Sequence, residues 1–207
     1  MNATQTEPTV FVIDDDPEIR NSLKWLIESV HLPVEVFECA EAFIQAFDPN
    51  RLGCLLLDIR MPGMGGLRLL DWLRAQGTHL PVIMFTGHGD VPMAVSAWKG
   101  GAFHFIEKPA SRQQILHCIQ DALALALNIW TKAWKQAAIE ARLAQLTPRE
   151  HEVLERVVEG VPNKCIAMDL GITERTVEKH RESIMEKMGT RSLAKLMQMI
   201  FLCRLDG

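Results

Sequence analysis

The sequence predicts an α/β domain built on a doubly wound parallel sheet, then a long helix, then a small all-α unit. Three observations lead there. Short apolar runs alternate with amphipathic helical segments over about 120 residues, the pattern of βαβ units in a parallel sheet. Gly and Pro then vanish from Ser111 to about Gln145, where Ala and Leu dominate, and these are strong helix formers. Beyond that come helical segments with caps and glycine stops and no strand between them.

The strands and helices of the first unit follow in order. Val10–Ile13 is a short apolar run ending in Asp14, Asp15 and Asp16. Pro17 sits at a first helical position with Asp16 as N-cap, and the helix runs to about Val30 with Ile19, Leu23, Leu26 and Ile27 on one face. Val34–Phe37 is the second strand; Glu35 interrupts it and marks an edge strand with one wet face. A helix near Ala40–Phe47 precedes the third strand, Cys54–Leu57, which runs into Asp58 and then Met61-Pro62-Gly63. Gly66–Ala75 reads as a helix through Leu67, Leu70, Trp72 and Leu73. Val82–Phe85 is the fourth strand, and a helix from about Val91 stops at Gly100-Gly101. Phe103–Ile106 is the fifth strand. Right-handed crossovers leave few topologies, and the flavodoxin-like order 2-1-3-4-5 places the Glu35 strand at an edge.

Four of the five strands end in a chemically able residue: Asp14 and Asp15, Asp58, Thr86 and Lys108. In an open α/β sheet these ends share one rim, where such sheets bind ligands. Three carboxylates crowded there repel one another unless a cation is present, and an oxygen-only set suits Mg²⁺. Asp58 can then act as a carboxylate nucleophile toward a phosphoryl group. Lys108 supplies a point charge to the phosphoryl oxygens, and the Thr86 hydroxyl supplies a hydrogen bond.

Composition narrows the rest. No apolar run approaches the roughly 20 residues that span a bilayer. The N-terminal residues MNATQTEPTV carry no secretory pattern, and the five scattered cysteines form no CxxC pair, so a reduced cytoplasmic protein with no disulfide framework and no zinc site is expected. Residues 1–121 carry 9 basic and 15 acidic residues, residues 122–144 carry 3 and 1, and residues 145–207 carry 10 and 10. The tail is therefore not the strongly basic patch typical of nucleic-acid binders, and any basic footprint in it is local.

Residues 10–121 resemble the receiver domain of two-component response regulators, through VIDDD at 12–16, LLLDIRMPGMGG at 55–66, FTGHGD at 85–90 and FHFIEKP at 103–109. The resemblance implies that a sensor histidine kinase phosphorylates Asp58. Asp14, Asp15 and Asp58, with the backbone carbonyl of Arg60, would hold Mg²⁺. Thr86 and Phe105 would be the switch pair, and the bond before Pro109 would be cis. Relatives usually carry Phe after the Lys-Pro pair; here it is Ala110. An aspartyl-phosphate hydrolase on a similar sheet is the rival enzyme reading, but such enzymes place a second Asp where this chain has Arg60. A receiver that serves as a phosphorylation-independent interaction module is a further alternative.

The connector carries Leu123, Leu127, Trp130 and Trp134 at one-sided helical spacing. It is either the last receiver helix continuing, with its tryptophans packed on a neighbour, or a signalling helix or dimer seam. The tail opens with Thr147 as N-cap, Pro148 at N1 and Glu150 completing a capping box. That helix runs through Val153, Leu154, Val157 and Val158 to a stop at Gly160. Asn163–Leu170 is stopped by Gly171, Thr173 caps a helix to about Met188, and Ser192 opens a fourth. The pair joined at Leu170–Thr173 matches a helix-turn-helix. On its second helix Val177, Ile184 and Met188 face inward. Arg175, Lys179, Glu182, Ser183 and Glu186 face outward, and Glu182 and Glu186 are placed to pair with Lys179 and Lys187.

Residues 146–202 resemble the LuxR/NarL-type output domain, through LTPREHEVLERVVEG, NKCIAMDLGI and TERTVEKHRESIMEKMG. With TGHGDVPMAV at 86–95, the chain is identified as a member of the FixJ-type branch. The resemblance implies a receiver over residues 1–121, a helical linker over 122–144 and a four-helix DNA-binding domain over 145–207. It implies phosphate contacts by Asn163 and Lys164, and DNA contacts by Arg175, Thr176, Lys179 and Arg181. It implies a dimer contact on the last helix, a role that Leu196, Met199 and Ile200 fit, as they equally fit a packed core. Promoter DNA, RNA polymerase, the kinase and a second copy of the chain are the implied partners, and the output is a transcriptional regulator, usually an activator. Which bases the helix reads does not follow from the resemblance.

Overall fold

The computed structural model describes residues 7–87 and 91–204. The expected motif residues His88, Gly89 and Asp90 lie outside them. The chain divides into two compact units, Met1–Trp130 and Thr131–Gly207, and each is described by itself.

The first unit runs β1 (Thr9–Ile13), α1 (Pro17–Glu28), β2 (Val34–Phe37), α2 (Ala40–Ala46), β3 (Gly53–Leu57), α3 (Gly66–Ala75), β4 (Val82–Thr86), α4 (Val91–Lys99), β5 (His104–Glu107) and the start of α5 (Arg112–Leu143). All pairings are parallel, and the strand order is β2-β1-β3-β4-β5. Successive residues of each strand feed opposite faces. Phe11, Ile13, Leu55, Leu57, Val82 and Met84 pack with Phe43, Leu69, Leu70 and Leu73 on one side. Val10, Val12, Cys54, Leu56, Ile83 and Phe85 pack with Leu23, Ile27, Ile115 and Ile119 on the other. Burial on both sides explains why β1, β3 and β4 read as unbroken apolar runs, whereas β2 at the edge is only half-buried. Its Glu35 accepts both Nη atoms of Arg51, at 2.8 and 2.6 Å. Asp16 caps α1 by accepting from the Glu18 and Ile19 amides, as expected. The helix stops at Glu28, earlier than the apolar pattern suggests, because His31 turns to φ 60° two residues past the Ser29 cap.

The second unit takes the end of α5, then α6 (Pro148–Val158), α7 (Asn163–Leu170), α8 (Glu174–Lys187) and α9 (Leu193–Arg204). Thr147 and Glu150 form the expected capping box. Gly171 makes the α7–α8 turn at φ +64°, a conformation costly for any side chain. Val177, Ile184 and Met188 line a core with Val153, Leu154, Val157 and Ile166.

Three expectations need correction, and one open choice is narrowed. Of the α5 stripe Leu123 is buried, whereas Leu127 and Trp134 are 51% and 57% exposed. The α5 residues that enter the second core are Ile139 and Leu143, which the stripe did not include. Ser183 does not face solvent; it donates to Glu150 at 2.6 Å. Lys187 also reaches Glu150, at 2.6 Å, rather than Glu186 or Glu182. Finally, Leu196, Met199 and Ile200 are buried in the core of their own unit. The exposed apolar face of α9 is Leu193, Met197 and Phe201, spaced by four. Spacing alone fixes the stripes of an amphipathic helix, and here both stripes are apolar, so the sequence did not say which one turns in.

Candidate functional site

β1, β3, β4 and β5 end at one rim, and each delivers one part of a cluster. Asp14 is 1% exposed and Asp58 8% exposed, whereas Asp15 is open to solvent. Carboxylate oxygens of all three lie within 4.8 Å of one another. Lys108 reaches in from the end of β5, 2.6 Å from Asp14 Oδ2 and 3.6 Å from Asp58 Oδ2, and its ammonium sits 4.9 Å from the Phe85 ring centroid. Burial pushes the Asp58 carboxyl above its ordinary range; Lys108 pulls it back, and Asp14 adds to the rise. An unshared buried charge is costly, so this set favours a bound cation. All side-chain donors are carboxylate oxygens, the choice of a hard divalent ion.

The surrounding backbone holds these groups in place. The Ile59 amide donates to Asp58 Oδ1 at 2.8 Å, and the Asp16 amide to Asp14 Oδ1 at 2.9 Å. Gly66 starts α3 directly under this loop, where a Cβ would lie 2.1 Å from the Asp58 carbonyl oxygen. Only glycine fits such an approach, and the Gly66 amide instead bonds the Ile59 carbonyl at 2.9 Å. Thr86 is buried at the end of β4, and its carbonyl accepts from the Lys108 amide at 2.8 Å. Phe105 lies half-buried on β5, in register with Met84. The Lys108–Pro109 bond is cis. Arg60 is exposed in the loop after β3. Ala110 packs on the cluster that holds Phe85 and lines a surface groove with Trp25, Pro109 and Arg112. Sequence reasoning missed Arg20, whose Nη1 donates to the Asp14 carbonyl at 2.6 Å. A side chain that grips backbone leaves no spacing signal, although the Arg one turn after an Asp-rich cap was there to be noticed.

In the second unit, the expected DNA contacts fall into two groups. Arg181 donates to Asn163 Oδ1 at 2.8 Å, and the Thr176 hydroxyl shares a 2.8 Å hydrogen bond with Thr173. Lys164, Arg175 and Lys179 are exposed. Arg142, near the end of α5, donates to the Met188 carbonyl at 2.8 Å, bonding the C-terminal end of α8; this anchor too was missed.

A doubly wound sheet with an acidic rim and a paired lysine, on one chain with a helix-turn-helix, defines a transcription regulator that carries a receiver. Residues 10–120 match the response regulator receiver domain family, and residues 144–200 match the luxR family of bacterial regulatory proteins. The chain belongs to the two-component response regulators of the FixJ type, with a receiver and a LuxR-type DNA-binding domain. It is similar to the transcriptional regulatory protein FixJ of Azorhizobium caulinodans, at 45% identity over 93% of this chain and 92% of that one. Among solved structures it is similar to the response regulator StyR (TM-score 0.88, 42% identity, covering 94% of this chain and 98% of that one). It is also similar to full-length FixJ from B. japonicum (TM-score 0.58, 37% identity, covering 97% and 98%). These relatives are regulators of transcription or response regulators, so the hydrolase reading is set aside. Among the described residues, no helix is long and apolar enough to cross a membrane.

Proposed function

We propose that this regulator is switched by phosphorylation of Asp58 and then acts at promoters, as an activator. A phosphohistidine of a sensor kinase is the donor: Asp58 attacks phosphorus, the P–N bond breaks as the P–O bond forms, and imidazole leaves. Mg²⁺, held by Asp14, Asp15 and Asp58 with the Arg60 carbonyl, would neutralise charge on the phosphoryl oxygens. Lys108 moves its charge from the Asp14 carboxylate toward the new phosphoryl group, and Thr86 donates a hydrogen bond to it. Phe105, on the next strand, fills the space behind Thr86, which gives the local charge change a two-position element to bias. The observation that carries this reading is the pair of buried carboxylates, Asp14 and Asp58, with Lys108 within 2.6 and 3.6 Å of them.

On the output side α8 enters the major groove of paired half-sites. Lys164 and the Arg181–Asn163 pair meet phosphates, and Arg175 and Lys179 meet bases. A second copy docks through the exposed Leu193, Met197 and Phe201 face of α9 rather than through the buried trio, and RNA polymerase is the downstream partner. The receiver is residues 1–121, the linker 122–144 and the DNA-binding domain 145–207.

The test is promoter-fragment binding and oligomeric state with and without beryllium fluoride plus Mg²⁺, for wild type and Asp58→Asn. The mimic should tighten binding and drive dimers in the wild type only. Equal binding in all four conditions makes the receiver an interaction module and breaks the switch.

A further inference from the structure

α8 sorts its polar side chains into two sets. Thr176, Arg181, Ser183 and Lys187 each bond within the unit: to Thr173, to Asn163, and twice to Glu150. Arg175, Glu178, Lys179 and Glu182 are exposed, and among the described residues none of them has an ion pair. These four are two acids and two bases, and Glu174 and Glu186 on the same helix are exposed acids as well, a poor composition for gripping phosphate. A carboxylate near a phosphate backbone is repelled, so an acid on this face is tolerated only where it meets a donor.

The major groove offers two such donors, cytosine N4 and adenine N6. Adenine sets its N7 acceptor beside N6, which a carboxylate would face as well; cytosine presents N4 with no acceptor next to it on its own edge. The N-terminal part of a recognition helix contacts base edges. Glu178 lies in the second turn of α8, with Arg175 three residues before it and Lys179 directly after. Glu182 is a turn further along. Glu174, at the first position of the helix, is placed to favour the helix dipole.

We propose that Glu178 is a specificity-determining residue: it accepts from the N4 of a cytosine in each half-site, while Arg175 and Lys179 donate to guanine O6 and N7 at that pair or its neighbours. This rests on the reading that α8 enters the major groove. It assigns a base class to the operator, a C·G pair under the middle of the exposed set, and makes the acid a reader rather than a solvated bystander.

The test is selection from a random double-stranded DNA pool by the full-length protein with beryllium fluoride and Mg²⁺. Wild type, Glu178→Ala and Glu178→Gln are compared, with Lys164→Gln as the phosphate-contact control. Wild type should enrich cytosine at one fixed position per half-site, by roughly tenfold over other bases. Glu178→Ala should flatten that position alone. Glu178→Gln should move it to adenine, because an amide both donates to N7 and accepts from N6. Lys164→Gln should weaken all sequences alike. An unchanged sequence pattern in Glu178→Ala, or uniformly tighter binding of every sequence, overturns the proposal and leaves groove binding intact. A wild type that enriches no sequence overturns the groove-binding reading, and this one with it. Glu178 is exposed and, among the described residues, has no ion pair, so loss of fold does not confuse the result.

Discussion

Two buried carboxylates, one in each unit, have been given opposite tasks. Glu150 is 4% exposed and Asp58 8%, so depth does not separate them. Their neighbours do. Glu150 accepts from Lys187, from Ser183, and from the amide and hydroxyl of Thr147, and these bonds hold its carboxyl down to about 2, led by Lys187. Asp58 shares Lys108 with Asp14, and burial holds its carboxyl up. A carboxylate whose lone pairs are all used is a structural joint, here tying α6 to α8. A carboxylate crowded with other acids is held for a ligand or a reaction.

The largest effect expected from this comparison is at the joint. Glu150→Gln removes the charge from a nearly buried pair and should destabilise the protein by about 3 kcal/mol, the low end for breaking such a pair, because Lys187 still reaches water. The sign with pH follows from a folded value near 2 against an ordinary 4.5. The stabilisation is fully present above 4.5 and is lost as pH falls toward 2. Calorimetry of wild type against Glu150→Gln should therefore show a difference that shrinks over that window. A difference that stays constant from pH 6 to 3 would mean that packing, not charge, holds the joint.

The rim should behave oppositely, gaining stability from a ligand instead of holding it already. Mg²⁺ at a hundred times its dissociation constant should raise the unfolding free energy by about 2.7 kcal/mol. Asp15→Asn, a change at an exposed ligand, should lose most of that gain at the same Mg²⁺ concentration while leaving the metal-free melting temperature nearly unchanged. Thermal unfolding reads both. Equal Mg²⁺ responses in the two proteins would remove Asp15 from the ligand set.

The contrast also explains what the sequence revealed. The rim was legible because every part of it sits at a strand end: Asp14, Asp58, Thr86 and Lys108 are each announced by the apolar run that delivers them. The capping box at Thr147 and Glu150 was legible because its partners are three residues apart. The rest of the Glu150 joint was not, since Ser183 and Lys187 arrive from 33 and 37 residues away and no local spacing marks them. The helical wheel alone accordingly puts Ser183 on the wet face. Arg20 and Arg142 grip backbone carbonyls, which any sequence offers everywhere. On α9, two apolar stripes competed, and only packing against α6 and α8 decided that Leu196, Met199 and Ile200 turn inward.

A third acid, on the edge strand, completes the series and should matter least. Glu35 meets Arg51 through two hydrogen bonds, and Arg51 also stacks 4.8 Å from the Phe11 ring centroid. Arg51 pulls the Glu35 carboxyl below its ordinary range. Yet the Glu35 side chain is 43% exposed, so water and salt screen most of that attraction. Arg51→Gln should cost about 0.5 to 1 kcal/mol, the range for an exposed pair with good geometry. Part of the loss should persist in high salt, because the stem packing on Phe11 is lost too. Arg51→Lys keeps the charge but not the fork, and should fall between the two. Denaturant unfolding at low and high salt measures this. A loss matching that of Glu150→Gln would mean that exposure does not set the worth of a paired carboxylate here, and the contrast between joint and rim would then need another cause.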